Sequence, residues 1–293
     1  MSFGLDHPVI AVRDLERTAE RARALGFTLN TRHQHPWGTD NHLLLFERNF
    51  IELMAIIRPG QLDYADDNNF RFGRLIESRL RHVDRLGDGI VMVGLESEDM
   101  VHDHAVLLGR GLTHVRPTIF RRLAHLADGR DEEVGVALDI IYHRDAPWLT
   151  QFLCQQLSPE LLRQDPSLTV HANTAIALTD IWYVSSTRQR DLGHFRDIHG
   201  EAAITPEAGG FTIATDKGDC HLLDTTTMGE RFPLLAGLPP TPSRAVALTL
   251  ACRDLSAAMA LWQANGVDFV RHDEHHADIP PHELGPLLRF VQC

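Results

Sequence analysis

The sequence predicts an α+β protein assembled from four copies of one βαβββ unit, and three observations lead there. A strand-to-helix phrase, HPVIAVRDLERTAERARALGF at 7–27, returns as ALTLACRDLSAAMALWQANGVDF at 247–269. Strand-like runs follow each such helix, bounded by glycine, proline and asparagine. The 293 residues, 43% hydrophobic and 23% charged, reach the size, about 250–300 residues, at which a single core usually stops growing, which favours two domains.

In the first copy, Val9 and Ala11 alternate with Pro8, Ile10 and Val12, the period of a strand. Asp14 sits where a helix N-cap belongs. Leu15, Ala19, Ala22 and Leu25 recur at helical spacing, and Gly26 stops the helix. FTLNTR, NHLLLFE and NFIELMAI then read as three strands, with Pro36, Gly38 and Asn49 in the connections. The second copy has GIVMVGLES as a strand, SEDMVHDHAVLLGRGL as a helix ending in glycine, and VGVALDIIYH and PWLTQFLC as later strands. Residues 58–88, between these copies, mix a polar loop with a short helical stretch.

The segment QQLSPELLRQDPS, 155–167, carries two prolines and no strand pattern, which marks a boundary. The third copy starts at ANTAIALTDIWYVSS and continues through the weakly helical TRQRDLGHFRDIHG, GGFTIATD and GDCHLLDT. AGLPPTPSR links it to AVALTLACRDL, whose helix carries Leu255, Met259 and Trp262 on one side. VDFVRHD and LLRFVQC finish the fourth copy. Asp14, Asp99, Ser186 and Asp254 line up as the four strand-to-helix junctions, at intervals too long and uneven for a solenoid. The expected division is a first domain over 1–154 (modules 1–57 and 89–154), a linker over 155–170, and a second domain over 171–293 (modules 171–236 and 243–293).

Composition excludes several function classes. The net charge of −12 argues against nucleic acid, whose phosphates require a basic face. No uncharged apolar run is long enough to span a bilayer, and no signal segment opens the sequence. The four cysteines lack CxxC spacing and read as reduced thiols of a cytoplasmic protein. AVRDLERT has no glycine where a doubly wound nucleotide fold needs one. Without a Gly-x-Ser-x-Gly turn or a cysteine signature, covalent catalysis is unsupported. The partner expected is a small molecule; a homodimer is left open.

DHPVIAVRDL in the first strand and FIELMAI in the fourth resemble the vicinal oxygen chelate superfamily, the group of glyoxalase I, extradiol dioxygenases and antibiotic-resistance proteins. HPWGTDN at 35–41, APWLTQF at 146–152 and HANTA at 171–175 are similar to its glyoxalase-like group. The resemblance implies modules paired into two cupped, mixed sheets, with a divalent metal held in a cup by side chains of first and fourth strands. Carried onto this chain, those positions are His7 and Glu52 in module one, and Met92 and Gln151 in module two. The second-half equivalents are Thr179, His221, Ala247 and Arg289, a set that implies a metal-free cup.

Side-chain alternation supports the first pair independently. His7, Val9 and Ala11 share one strand face, as do Phe50, Glu52 and Met54. A carboxylate among apolar neighbours needs a cation, a hydrogen-bonding partner or a proton. Mixed imidazole, carboxylate and amide ligation by His7, Glu52 and Gln151 suits Zn, Ni, Fe(II), Mn or Co. His35, Trp37, His42, Phe50 and Trp148 are candidate pocket residues, and His33 lies in the same loop as His35. The leading expectation is a metal-dependent glyoxalase-like enzyme in which Glu52 and His7 act on a small oxygen-bearing substrate, of isomerase, lyase or dioxygenase type. The alternatives are a non-catalytic protein sequestering an aromatic ligand against Trp37, Phe50, Trp148 and Phe152, or metal-free acid–base work by His7 and Glu52. His171 and Asn173 read as entrance or turn residues, and HDEHHAD at 272–278 as a solvated loop.

Overall fold

A computed structural model describes residues 3–65, 70–81, 87–113, 116–125, 131–162, 165–239 and 241–293. The first half runs β1 (Gly4–Ala11), α1 (Leu15–Ala24), β2 (His33–Gln34), β3 (Thr39–Leu45), β4 (Phe50–Ile56), α2 (Phe72–Arg81), β5 (Gly89–Glu96), α3 (Met100–Gly109), β6 (Pro117–His125), β7 (Asp131–Ile141), β8 (Gln151–Gln156) and the one-turn α4 (Pro159–Leu162). The second half runs β9 (Ala175–Val184), α5 (Arg188–His199), β10 (Ile204–Glu207), β11 (Gly210–Thr215), β12 (Gly218–Leu223), α6 (Thr225–Arg231), β13 (Arg244–Cys252), α7 (Leu255–Asn265), β14 (Val270–Arg271), β15 (His276–Ile279) and β16 (Leu287–Gln292).

These strands form two eight-stranded mixed sheets of matching order, β2-β3-β4-β1-β5-β8-β7-β6 and β10-β11-β12-β9-β13-β16-β15-β14. The expected α+β architecture of four βαβββ modules is therefore the architecture found. In each sheet the first strands of two modules meet antiparallel at the centre, β1 on β5 and β9 on β13. Each first strand also lies parallel to the fourth strand of its own module, β1 beside β4 and β9 beside β12.

Each strand has two fates. Ile10, Val12, Ile51 and Leu53 turn toward the helices and join one continuous core that also holds Leu178, Ile181, Tyr183 and Trp262 of the second half. Val9, Ala11 and Met54 turn the other way and join the cup-side cluster with Met92, Leu138 and Phe152. Polar bonds lock the halves across the shared core. Asn49 both donates to Leu178 O and accepts from Leu178 N, and the Trp262 indole donates to Leu25 O.

Several local expectations are corrected. FTLNTR is not a strand; the second strand is the two-residue β2. Thr28 turns away to bond Val170 O and the His171 ring, while Asn30 Oδ1 caps the β3 ladder at Leu43 N. β6 was not expected as a strand, yet it pairs with β7 along its length. HDEHHAD is only partly a loop, because His276 to Asp278 enter β15, and His272 bonds the buried Asp278 at 2.8 Å. His171 and Asn173 are buried clamps rather than entrance residues. Asn173 donates to Leu25 O, and His171 binds both Thr28 N and Leu45 O.

Candidate active site

The cup of the first half encloses a cavity of about 610 Å³. His7 and Val9 from β1, Phe50, Glu52 and Met54 from β4, and Met92 from β5 line it, as their strand parity requires. The parallel β1–β4 ladder pairs Val9 with Glu52, which sets the acid diagonally beside His7. Both are nearly buried, at 4% and 7% exposure.

Four neighbours fix the pair. Asp6 Oδ2 takes the His7 Nδ1 hydrogen at 2.8 Å, which leaves Nε2 directed at Glu52 Oε2, 3.7 Å away. The imidazole stacks on Phe50, with ring centroids 4.1 Å apart. Opposite it on the ladder is Gly94, where a Cβ would come within 2.7 Å of His7 Cε1. Asn41, on β3, donates its amide to Glu52 Oε1.

The turn between β2 and β3 adds a second imidazole. His35 shares a hydrogen bond between its Nδ1 and Thr39 Oγ1, and its Nε2 lies 3.8 Å from Glu52 Oε1. It is held flat against Trp37 at 4.7 Å, and Trp37 in turn stacks on Phe72 at 4.7 Å. The buried Cys154 also lines the cavity, but burial, together with the charges of Asp6 and Glu52, pushes its thiol well above the usual range. It stays protonated and is no nucleophile.

The structure thus brings together His7, Glu52, His35, Trp37 and Phe50 among the residues singled out from sequence. It does not bring in Gln151, His42 or Trp148. Gln151 points through the sheet to the second half, where its Oε1 bonds His199 Nε2 at 2.9 Å. The residue at the Glu52 position of module two is Phe152, paired with Gly94 as Glu52 is paired with Val9. A one-residue slip in aligning PWLTQF had exchanged the faces. His42 bonds Asn30 O on the far side of β3. Trp148 lies under the Arg79 guanidinium, at 5.2 Å, away from the cavity lining. Asp6, Asn41, Phe72, Phe120 and Cys154 were missed. Asn41 alone carried a signal, as it lies two residues from Leu43 on the same face of its strand.

The second cup is built on a related but inverted pair. Thr187, not Ser186, precedes the first turn of α5, so the position matching His7 is Asp180 and not Thr179. His221 occupies the Glu52 position, paired with Trp182. The acid thus stands on the first strand and the imidazole on the fourth, 3.0 Å apart. The ligand-type atoms of Asp180, Asp219 and His221 lie within 4.8 Å of one another, which the expectation built on Thr179 did not foresee. His221 Nδ1 also meets Glu207 at 3.0 Å. Burial alone would lower the His221 pKa, but the bonds from Asp180 and Glu207 outweigh it and raise it. Trp182 stacks on the ring at 3.8 Å, and Arg289 covers Phe232 while pairing with Asp278.

Two cupped, mixed sheets of paired βαβββ modules, with an imidazole and a carboxylate on adjoining strands, define the vicinal oxygen chelate fold. A sequence profile of the glyoxalase-like domain matches residues 5–194, and the chain belongs to that family. No curated protein matches it. A hypothetical protein from Staphylococcus aureus superposes with a TM-score of 0.69 at 13% identity, over 99% of this chain and 100% of its own. A mutant of 4-hydroxymandelate synthase from Streptomyces coelicolor gives 0.56 at 12%, over 99% and 92%. A xylose isomerase-like TIM barrel/4-hydroxyphenylpyruvate dioxygenase fusion protein gives 0.57 at 13%, over all of this chain and 49% of its own. At these identities the likeness is one of fold.

Proposed function

We propose that the first cup is the divalent-metal centre of a glyoxalase-like enzyme, held by His7, His35 and Glu52. One observation carries the reading: two imidazole Nε2 atoms flank a single buried carboxylate, at 3.7 and 3.8 Å from its two oxygens. Each imidazole already has its Nδ1 engaged, by Asp6 and by Thr39. The outer partners fix tautomer and ring; the three donors are not gathered within 4.8 Å of one another, so a bound ion would draw them together. His35 takes the place that the sequence had given to Gln151.

Two histidines and one carboxylate form the donor set typical of Fe(II) oxygenases, which favours iron over the other candidates. Fold neighbours bearing dioxygenase and 4-hydroxymandelate synthase titles point the same way. A bound divalent ion would supply Lewis acidity to a substrate oxygen. The chain's own residues supply the rest. Asn41 restrains Glu52 through Oε1, and Oε2 faces His7 Nε2 at 3.7 Å; once released from the ion, this carboxylate is the group placed to accept a substrate proton. Asp6 fixes the His7 ring so that Nε2 is the ligand atom. The rings of Phe50, Phe152 and Trp37 pack against the two imidazoles and hold them in place.

The test is elemental analysis of protein purified without an affinity tag. Near-stoichiometric metal should be present in the wild type and lost in His7→Ala, His35→Ala and Glu52→Gln. A folded wild type that takes up no divalent ion, or variants that keep it, would overturn the metal centre. Ligand binding without metal would leave a sequestering protein.

A further inference from the structure

We propose that the first cup accepts an uncharged, multi-ring aromatic molecule and rejects ligands carrying a carboxylate or phosphate. This deepens the preceding reading and rests on it only in taking the cup as the working site. Size, wall and charge carry it.

A cavity of about 610 Å³ falls within the range that holds drug-sized ligands, well beyond what a two- or three-carbon oxo compound fills. The wall is built for flat rings. Trp37, Phe72 and Phe120 form one aromatic cluster, with Trp37–Phe72 centroids at 4.7 Å and Trp37–Phe120 at 5.1 Å. Phe50 and Phe152 form a second around His7, at 4.1 and 5.3 Å. Leu43, Leu45, Val136 and Leu138 fill in between. Such surfaces gain from aromatic ligands through apolar burial and ring stacking.

Charge sets the second half of the proposal. Among the described residues lining the cavity, no arginine or lysine contributes; the carboxylates are Glu52 and Asp165. Arg58, at the rim of the His35 turn, is committed to Asp40 at 2.6 Å and to the carbonyls of His35 and Thr39. The two positive charges of a divalent ion would be matched by Glu52 and Asp6, leaving no surplus to draw in an acid group. An anionic substituent would exchange water for phenyl faces, an acidic neighbour and uncharged donors such as Asn30, Gln156 and Ser158, with no arginine or lysine in the described lining, a costly transfer for a charge.

Two dyes that share one ring skeleton test this. N-phenyl-1-naphthylamine is uncharged, and 8-anilino-1-naphthalenesulfonate adds a sulfonate. Fluorescence titration of the full chain should show the uncharged dye binding at least about tenfold more tightly, the sulfonate meeting no arginine or lysine in the described lining. Val136→Trp, which fills the cavity, and Phe120→Ala, which removes part of the wall, should each weaken that binding. Circular dichroism reports whether each variant folds. Equal or tighter binding of the sulfonate, or uncharged-dye binding unmoved by either folded variant, would overturn the proposal. Retention of uncharged-dye binding by Glu52→Gln protein devoid of metal supports it even where the metal centre fails.

Discussion

Gly94 has no side chain because His7 occupies the space. A Cβ there would stand 2.7 Å from His7 Cε1 and 2.8 Å from Nδ1, inside van der Waals contact. Gly94→Ala is therefore expected to push the imidazole off Asp6 and to lower metal affinity about 10–100-fold, the loss typical when a ligand's orienting contacts are removed. Competition with a chromophoric chelator reads that change; unaltered affinity would show that His7 is not a ligand. Asp6→Asn should act in the same direction, since an amide orients the ring without the carboxylate's charge. At this scale the sequence was informative wherever parity alone decided. His7 and Glu52 were singled out by the resemblance of the first and fourth strands, and alternation gave which neighbours share their faces. The face of Gln151 was not legible, because it depends on register, and a short 3-10 turn over Pro147–Leu149 precedes β8. His35 was legible only as a loop residue near the cup. Its aim depends on Thr39 and on stacking against Trp37, contacts made across a turn.

Helix starts show the same division between local and nonlocal information. Asp14, Asp99 and Asp254 each accept from backbone N–H groups of the first helical turn, so a carboxylate before an apolar period located three helices. The helix of the third module, α5, follows Ser185-Ser186-Thr187, three residues equally able to cap, and local chemistry cannot choose among them. Tertiary contact chooses. Buried Asp191, in the first turn of α5, accepts from Ser185 Oγ, from Ser243 Oγ at 2.6 Å and from Arg190 Nε at 2.9 Å, so it ties the helix to the strand ends. Asp191→Ala leaves both hydroxyls without that acceptor and is expected to cost on the order of 2–4 kcal/mol in a urea titration. A loss under about 0.5 kcal/mol, the scatter of ordinary surface changes, would mean that other contacts set this start. The single-residue shift from Ser186 to Thr187 has a large consequence, since it puts Asp180 rather than Thr179 opposite His221.

Across the whole molecule, three buried histidines stitch the halves together. His171 bonds Leu45 O, His194 bonds Leu149 O at 3.0 Å and His199 bonds Gln151 Oε1, each reaching from the second half into the first. Burial lowers their pKa values, to about 4 for His171 and about 3 for His194 and His199. In the unfolded chain each titrates near about 6.5. Above that value neither state binds these protons, and the contribution of the neutral rings is fully present. As pH falls below about 6.5 the unfolded chain takes up protons that the folded chain refuses, so stability drops until the folded values are passed. Three such sites give a slope of up to about 4 kcal/mol per pH unit between pH 6 and 4. His221 acts in the opposite sense: its raised pKa stabilises the folded state at low pH, and that contribution disappears as pH rises through the folded value. Urea midpoints taken from pH 7.5 down to 5 should therefore fall steeply. His194→Asn, which removes one of the three protons, should flatten the slope by about 1.4 kcal/mol per pH unit. A midpoint that stays level to pH 5 would mean that these rings protonate in place, and the seam between the halves would then owe its strength to the shared apolar core.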